Sequence, residues 1–266
     1  MKQNLGVPPE QEALLLKEGY LSSTMLGHGL TALRRANIGD KGSYYHAFFS
    51  LTIGLERLMK LTLIQRYPLE HNNAFPDNSY LRRKGHNIDQ LFTAIGCEVE
   101  EICSSNDDRA ILLDMILMFS RFANKARYYN LDTLTGNQPS TSLDPIQEWK
   151  DIQARIASVK KLTVSLSGQE EQLVDAMSKH SYTLMLGDDN QIITDLKDLI
   201  MTGRLDEKIQ GYAVHYVLKI IMHITDVLVE IETKQHMYPY LREFFSGFND
   251  NGMAPSEIRR KKKWEV

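Results

Sequence analysis

Residues 81–92, LRRKGHNIDQLF, place cationic side chains beside a histidine in one short stretch. A metal-independent ribonuclease needs a base for the 2′-hydroxyl proton, an acid for the leaving oxygen and a fixed cation on the phosphate. His86 can exchange a proton near neutral pH, and Arg82 or Arg83 can hold a phosphate. The stretch is therefore a candidate for RNA chemistry.

A simpler interpretation of the same stretch is the start of a helix. Gly85 comes immediately before the histidine, and His86 or Asn87 can satisfy the free backbone amides of a helix that begins there. We expect this junction rather than catalysis. Three cations of the stretch are candidate contacts to nucleic acid or phosphate: Arg82, Arg83 and Lys84.

Other arginine and histidine residues offer the same acid–base chemistry. Arg66 and His71 lie close together in RYPLEH, although Pro68 between them is expected to end a helix, which places both at a helix exit. Arg127 can combine with His86 if the fold brings them together. The catalytic candidates are therefore His86, Arg127, Arg66 and His71.

The elements that must position these side chains are predicted to be helices. Apolar residues recur at helical spacing in SYYHAFFSLTIGLERLMKLTLI, which Ser43 is expected to cap, and in DDRAILLDMILMFSRF. The second segment is apolar on most of its surface, which predicts a central place in a bundle. The segments of the second half, including GQEEQLVDAMSKHSYTLML and DNQIITDLKDLIMTG, are most simply helices as well. We therefore predict an all-α protein.

The segment DTLTGNQPSTSLDP has the composition of a linker and predicts a boundary near residue 140. We expect a helical bundle over 1–140, a C-terminal helical unit over 141–254 and a mobile basic tail over 255–266. Five consecutive cations begin the run RRKKKW in this tail. Its first two, Arg259 and Arg260, are further candidate contacts to phosphate, and the aromatic residues upstream are expected to pack on the domain or on a second subunit.

Composition limits the classes of function. The chain has 266 residues, of which 42% are hydrophobic and 24% are charged, as in ordinary folded proteins. Its net charge of -3 gives no positive field over the whole molecule, so nucleic-acid binding requires a local patch. No apolar run approaches the roughly 18 residues of a membrane span, and the N-terminus lacks the pattern of a secretory signal. We expect a cytoplasmic protein without membrane contact.

No metal or cofactor is predicted. Cys97 and Cys103 fit neither a CxxC redox pair nor a four-thiolate zinc site. His215 and His223 share one face of a helix with carboxylates, but Lys219 between them would repel a cation.

Three motifs in fixed order resemble the HEPN superfamily of helical domains over residues 40–132. They are the aromatic-rich SYYHAFFSLTIGLERLMK with Glu56 and Lys60, the junction GHNIDQL, and ARYY with Arg127. The resemblance implies an up-down helical bundle, here with additional C-terminal helices. It also implies a homodimer that pairs through helix faces, such as the aromatic face of residues 44–59.

The resemblance also implies a biological setting, because HEPN domains occur in prokaryotic toxins, antitoxins and defence proteins. HEPN ribonucleases typically carry a histidine soon after an arginine at the last core helix, whereas the next histidine after Arg127 is His180. We therefore expect a non-catalytic or regulatory component of a defence or toxin–antitoxin type system that acts through protein, nucleotide or RNA binding. Two alternatives stay open: a metal-independent HEPN endoribonuclease, and a helical scaffold that recruits a partner through its C-terminal aromatics and basic tail. The residues leave open whether the protein is an enzyme.

Overall fold

A computed structural model describes residues 9–72, 74–136, 144–187, 191–236, 238–249 and 252–264. Most of these residues are helical, which confirms the all-α prediction. The α-helices are α1 (Pro9–Arg35), α2 (Gly42–Glu70), α3 (Asn78–Lys84), α4 (Ile88–Ala94), α5 (Asn106–Asn124), α6 (Tyr129–Leu134), α7 (Pro145–Val159), α8 (Gly168–Ser178), α9 (Leu196–Gln235) and α10 (Pro255–Arg260). Short 3-10 helices cover Val99–Glu101, Ala126–Tyr128 and Leu241–Phe248.

Two segments predicted to be wholly helical each contain a short strand. The strands β1 (Met185–Leu186) and β2 (Ile192–Ile193) pair in antiparallel register, with Met185 opposite Ile193. Gly187 extends the pairing by donating its backbone N–H to the carbonyl of Gln191 at 2.7 Å. The β-branched isoleucines favour strand over helix at this position.

Glycines bring α1 and α2 into close antiparallel contact. A Cβ on Gly29 would lie 2.6 Å from Cγ of Leu51, and a Cβ on Gly54 would lie 2.7 Å from Cγ of Leu26. Side chains at either glycine would therefore push the helices apart. This close packing fixes the position of α1 relative to α2. It therefore also fixes how the polar side chains of the two helices lie relative to each other.

The ends of α2 differ from the sequence-based prediction. Pro68 lies inside the helix, which continues for two residues beyond it to Glu70. Ser43 is not the N-cap residue, a position held by Lys41. The hydroxyl of Ser43 instead donates to Oδ2 of Asp40 at 2.6 Å.

The longest helix, α9, has 40 residues and is about 60 Å long. Asp195 caps its start by accepting a hydrogen bond from the backbone N–H of Asp198. The helix runs through Gly203 without interruption, so the segment DNQIITDLKDLIMTG continues into the residues that follow it. Residues 227–234, whose apolar residues alternate as in a strand, are helical too.

The buried core draws on helices from both sides of position 140. The ring of Phe48 in α2 lies 5.4 Å from that of Phe122 in α5 and 5.5 Å from that of Trp149 in α7. Residues 137–143, which include the predicted boundary, lie outside the described residues. The division into two units stays a prediction.

The aromatic face of α2 was expected to mediate pairing with a second copy, but it faces the core of its own chain. Tyr44 and Phe48 are fully buried. The reason is that α5 and α7 pack over them, through Phe122 and Trp149. The homodimer stays a prediction, and it would have to pair through another surface.

Residues 255–264 form α10 and a stretch of extended chain that packs on α1, where a mobile tail over 255–266 was expected. Trp264 is buried, and its backbone N–H donates to Oγ1 of Thr31 in α1 at 2.9 Å. Phe245 and Phe248 are buried as well, so these aromatics pack on the domain. In the described ranges, no helix combines the length and the apolar character that crossing a membrane requires.

Candidate functional site

Chemistry-bearing side chains from four separate stretches of the chain converge on one pocket of about 450 Å³. We call it the His86 pocket, and its polar lining residues are Glu18, Glu56, Arg57, Lys60, His86 and Arg127. Glu18 lies in α1, and Glu56, Arg57 and Lys60 lie in α2. His86 lies between α3 and α4, and Arg127 lies directly after α5. The composite of His86 and Arg127 considered from the sequence is thus brought into one pocket.

Glu56 holds His86 in place. Oε1 of Glu56 lies 2.9 Å from Nδ1 of His86, and Nζ of Lys60 donates to the same oxygen at 2.8 Å. The side chain of Glu56 is 14% exposed, whereas that of His86 is 65% exposed. Because a carboxylate only accepts hydrogen bonds, Nδ1 carries the proton and Nε2 is left as the available ring nitrogen.

The expected capping role of the junction is wrong. Asn87 is the N-cap residue of α4, but within the described chain its side chain makes no capping hydrogen bond. Its Oδ1 instead accepts from Nδ2 of Asn124. His86 turns to the carboxylate of Glu56, because a charge-assisted hydrogen bond is stronger than one to a neutral backbone amide. Gly85 does form the expected turn, with φ at +63°.

Arg127 is the cation of the pocket that lacks a carboxylate partner among the described residues. Its Nε is buried without a hydrogen-bond partner there. Its guanidinium carbon lies 6.0 Å from the ring centre of Phe49, at the limit of a cation–π contact. A buried N–H group without a partner is unusual, and a bound anion or an ordered water would satisfy it.

The other charges of the pocket are paired. Arg57 forms an ion pair with Glu18, and Lys60 forms one with Glu56. Three fixed cations therefore face two carboxylates, and the remaining positive charge belongs to Arg127. The pocket can thus accept one anionic group.

An apolar groove of about 200 Å³ adjoins the His86 pocket. The two share Glu18, Leu61, Ile64 and Leu81, and the groove continues over Phe75. An anionic group and an apolar or aromatic group can therefore be held side by side.

Arg66 and His71 lie away from the His86 pocket. Nη2 of Arg66 donates to the carbonyl of Ile95 at 2.6 Å, so its guanidinium serves the C-terminal end of α4. The ring of His71 stacks on Tyr67 at 3.7 Å, and its Nδ1 lies 3.0 Å from the carbonyl of the same residue. The structure does not bring this pair together as an acid–base site.

Leu81 of α3 lines the His86 pocket, and the three cations of the same helix follow it directly in the chain. Arg82 and Arg83 are exposed. Nζ of Lys84 lies 5.5 Å from the ring centre of Tyr80. These three side chains remain predicted contacts to phosphate.

Arg259 and Arg260 line a second concave surface, which we call the basic groove. It consists of two adjoining pockets of about 620 and 520 Å³ that share Arg34 and Glu207. Its cations are Arg34 and Arg35 of α1, Arg204 and Lys208 of α9, and four of the five cations in 259–263.

Several residues of both sites were not candidates from the sequence. Arg57 follows Glu56 directly, which was the available signal, but Glu18 carries no local signal at all. Arg34, Arg204 and Lys208 are likewise scattered along the chain. Only the fold gathers such residues.

The polar stripe of α9 makes no metal site in the described part of the chain, where no group of three or more potential ligand side chains is arranged around one point. His223 faces Glu101, with Nε2 3.1 Å from Oε2 but without hydrogen-bond alignment. His215 is partly buried, and this burial, with Lys219 and Arg259 nearby, lowers its pKa to about 4. These histidines therefore belong to interhelical contacts.

A scan against protein-family models and searches of the curated proteins and of the solved structures find no match for the chain. The resemblance to the HEPN superfamily stays a prediction. Function is inferred from the chemistry of the two sites.

Proposed function

We propose that this protein binds RNA and that the His86 pocket seats one phosphate group against Arg127. The observation that carries the proposal is the convergence of separate chain segments on a pocket whose single uncompensated charge is a guanidinium. A guanidinium matches the oxygens of a phosphate with two parallel hydrogen bonds, and the buried Nε of Arg127 has no other described partner.

The surroundings of the pocket support RNA as the source of the phosphate. Nε2 of His86 can hydrogen-bond a ribose hydroxyl or a phosphate oxygen. The adjoining apolar groove with Phe75 can hold part of a base. The exposed cations Arg82 and Arg83, which follow the lining residue Leu81 in the chain, can contact neighbouring phosphates of the same strand.

The wider proposal follows the resemblance. The chain would be a HEPN-like, cytoplasmic and homodimeric component of a prokaryotic defence or toxin–antitoxin type system, with a regulatory role exerted by binding RNA. The helical fold is compatible with that assignment.

A second candidate function is metal-independent RNA cleavage, and the Glu56–His86 contact favours it. With Nδ1 held by Glu56, Nε2 of His86 can take the proton of a 2′-hydroxyl. The 2′-oxygen then attacks phosphorus, the bond to the 5′-oxygen breaks, and Arg127 stabilises the added negative charge. The leaving oxygen takes a proton from water, and the products are a 2′,3′-cyclic phosphate and a 5′-hydroxyl. Binding is the first candidate because the pocket offers one histidine for two proton-transfer roles.

RNA binding and cleavage in EDTA, measured side by side on purified protein, test both candidates. We expect Arg127→Ala to weaken RNA binding by about tenfold or more, as for the loss of one charged contact. Arg155→Ala is the matched control, because Arg155 is half exposed and pairs with Asp114 outside the pocket. Equal affinity of the two variants would refute the proposed phosphate site.

The cleavage arm compares His86→Ala with His71→Ala, two exposed histidines of which only the first lines the pocket. Cleavage by the wild type that is lost only in His86→Ala would establish the second candidate. Cleavage that survives in His86→Ala would exclude this histidine as the base.

A further inference from the structure

We propose that the basic groove is a second, independent nucleic-acid site that holds the phosphodiester backbone without reading the bases. It differs from the His86 pocket in position, in charge and in the chemistry of its lining. This proposal does not depend on whether the His86 pocket binds RNA.

Charge segregation is the first support. Among the described residues that line the groove, eight are cationic and one, Glu207, is acidic. The whole chain carries a net charge of -3, so this surface departs strongly from the rest of the molecule. A concave surface of one sign concentrates its field on an approaching polyanion.

Several of these cations, Arg35 and Arg260 among them, have no acidic partner among the described residues. Arg35 and Arg260 are both exposed, one at the end of α1 and one at the end of α10. Others are paired, since Glu207 accepts from Lys262 at 2.9 Å and lies 3.9 Å from Arg34. Arg35 and Arg260 can therefore contact phosphates without losing an existing ion pair.

The groove is fixed by packing, unlike a flexible basic tail. A Cβ on Gly211 would lie 2.8 Å from the carbonyl oxygen of Arg259, so the glycine allows α10 to approach α9 closely. On the far side of the cationic run, the buried Trp264 anchors the chain against α1. The run from 259 to 263 is thus held at both ends beside Arg34.

Arg259 shows that the groove presents guanidinium groups in a set orientation. Its guanidinium carbon lies 4.5 Å from the ring centre of Tyr212. Stacking on an aromatic ring holds the plane of the guanidinium and leaves its N–H edges available for phosphate oxygens.

The lining favours a nucleic-acid backbone over a protein partner or a single nucleotide. Protein interfaces have an apolar centre, and the aliphatic side chains among the described lining residues are only Val164 and Ala36. Tyr212 is the one aromatic residue of that lining, and Arg259 covers it, so no free ring is offered to a base. Two adjoining pockets of like charge suit several phosphates in a row.

The groove and the His86 pocket lie at different heights along α1, which lines the first through Arg34 and the second through Glu18. At about 1.5 Å per residue, these two side chains start about 24 Å apart along the helix. Substitutions at one site therefore leave the other in place.

The test uses the full chain and measures binding of a short single-stranded RNA and of DNA of the same sequence at several salt concentrations. The groove variant is Arg35→Gln with Arg260→Gln. The matched control is Arg155→Gln with Lys234→Gln, which also removes two exposed cations but lies outside both sites.

The groove variant is expected to bind both probes about tenfold more weakly, and its slope of log affinity against log salt is expected to fall by about 0.7 for each cation removed. The control is expected to match the wild type. Equal behaviour of groove variant and control would overturn the proposal, as would a loss confined to RNA, which would indicate readout of the 2′-hydroxyl.

Arg127→Ala separates the two proposals. If this variant keeps the salt slope that the groove variant loses, the groove binds nucleic acid whatever the role of the His86 pocket. If Arg127→Ala abolishes binding while the groove variant binds like the wild type, the groove proposal fails and the His86 pocket stands.

Discussion

Glu56 and His86 stand 30 positions apart in the sequence, yet Oε1 of the glutamate lies 2.9 Å from Nδ1 of the histidine. Lys60 donates to the same oxygen. One oxygen of a partly buried carboxylate thus fixes two proton-carrying side chains at the edge of a pocket that also contains Arg127.

Glu56→Ala is expected to release the ring of His86. In the wild type the contact with Glu56 favours the tautomer with the proton on Nδ1, whereas a solvated imidazole favours neither ring nitrogen as strongly. Nitrogen-15 NMR of the side chain distinguishes the two. Glu70→Ala, which removes an exposed carboxylate at the end of the same helix, serves as the control. A wild-type His86 with its proton on Nε2 would contradict the inferred contact.

Gly54→Ala is expected to destabilise the fold by about 1–3 kcal/mol, because the new methyl group would overlap Leu26 of α1. Gly203→Ala is the matched control in a helix interior with no heavy atom within 4 Å of the new Cβ. It is expected to stabilise the protein by about 0.5–1 kcal/mol, since alanine favours the helix. Urea denaturation measures both, and a similar effect of the two substitutions would disprove the close contact of α1 and α2.

Long periodic segments made the helices predictable, and short or competing signals did not. The apolar spacing in α2 and α5 indicates helix without reference to the rest of the chain. Pro68 and Ser43 gave wrong ends for α2, because each local preference was overridden by neighbouring residues. The hairpin of β1 and β2 was missed because strands of two residues have no periodicity to detect.

The sites were predictable only as separate residues. His86 and Arg127 were both candidates, but their presence in one pocket depends on the packing of α2 against α4 and α5, which no local pattern encodes. The basic groove was harder still to predict, because the net charge of the chain is negative. Only the cationic run at 259–263, which lines part of the groove, stands out in the sequence. Long-range packing is therefore what converts scattered cations into sites.

Asp108→Asn is expected to lower the free energy of unfolding at neutral pH by about 2 kcal/mol, because it leaves Lys160 without its partner. Asp114→Asn, on the same helix, is the control and is expected to change it by about 0.5 kcal/mol or less, since Asp114 and Arg155 form a partly solvent-exposed ion pair. Burial alone would raise the pKa of Asp108, but hydrogen bonds from Lys160 and Tyr216 outweigh it and lower the pKa. The stabilisation is therefore present above the usual pKa of an aspartate and is lost as the pH falls through the lowered value. Urea denaturation should show the gap between wild type and Asp108→Asn closing in acid, and a gap independent of pH would contradict the ion pair.

His215 is expected to make the fold sensitive to mild acid. Burial, followed by the charges of Lys219, Arg259 and Lys160, lowers its pKa from the usual value near 6.5 to about 4. The unfolded chain therefore binds a proton at a higher pH than the folded chain does, so stability is complete above about pH 6.5 and declines as the pH falls toward 4. For a partly buried ring we expect about 1–2 kcal/mol to be lost over this window.

His215→Gln should remove that part of the decline, as measured by urea denaturation at a series of pH values. Arg259→Gln provides an independent check, because loss of a cation near the ring should raise the pKa of His215 in an NMR titration. An unchanged pKa of His215 in Arg259→Gln would mean that the charge of Arg259 does not affect this histidine. A raised pKa would make His215 a reporter for anions bound in the groove, since a phosphate beside Arg259 compensates the same charge.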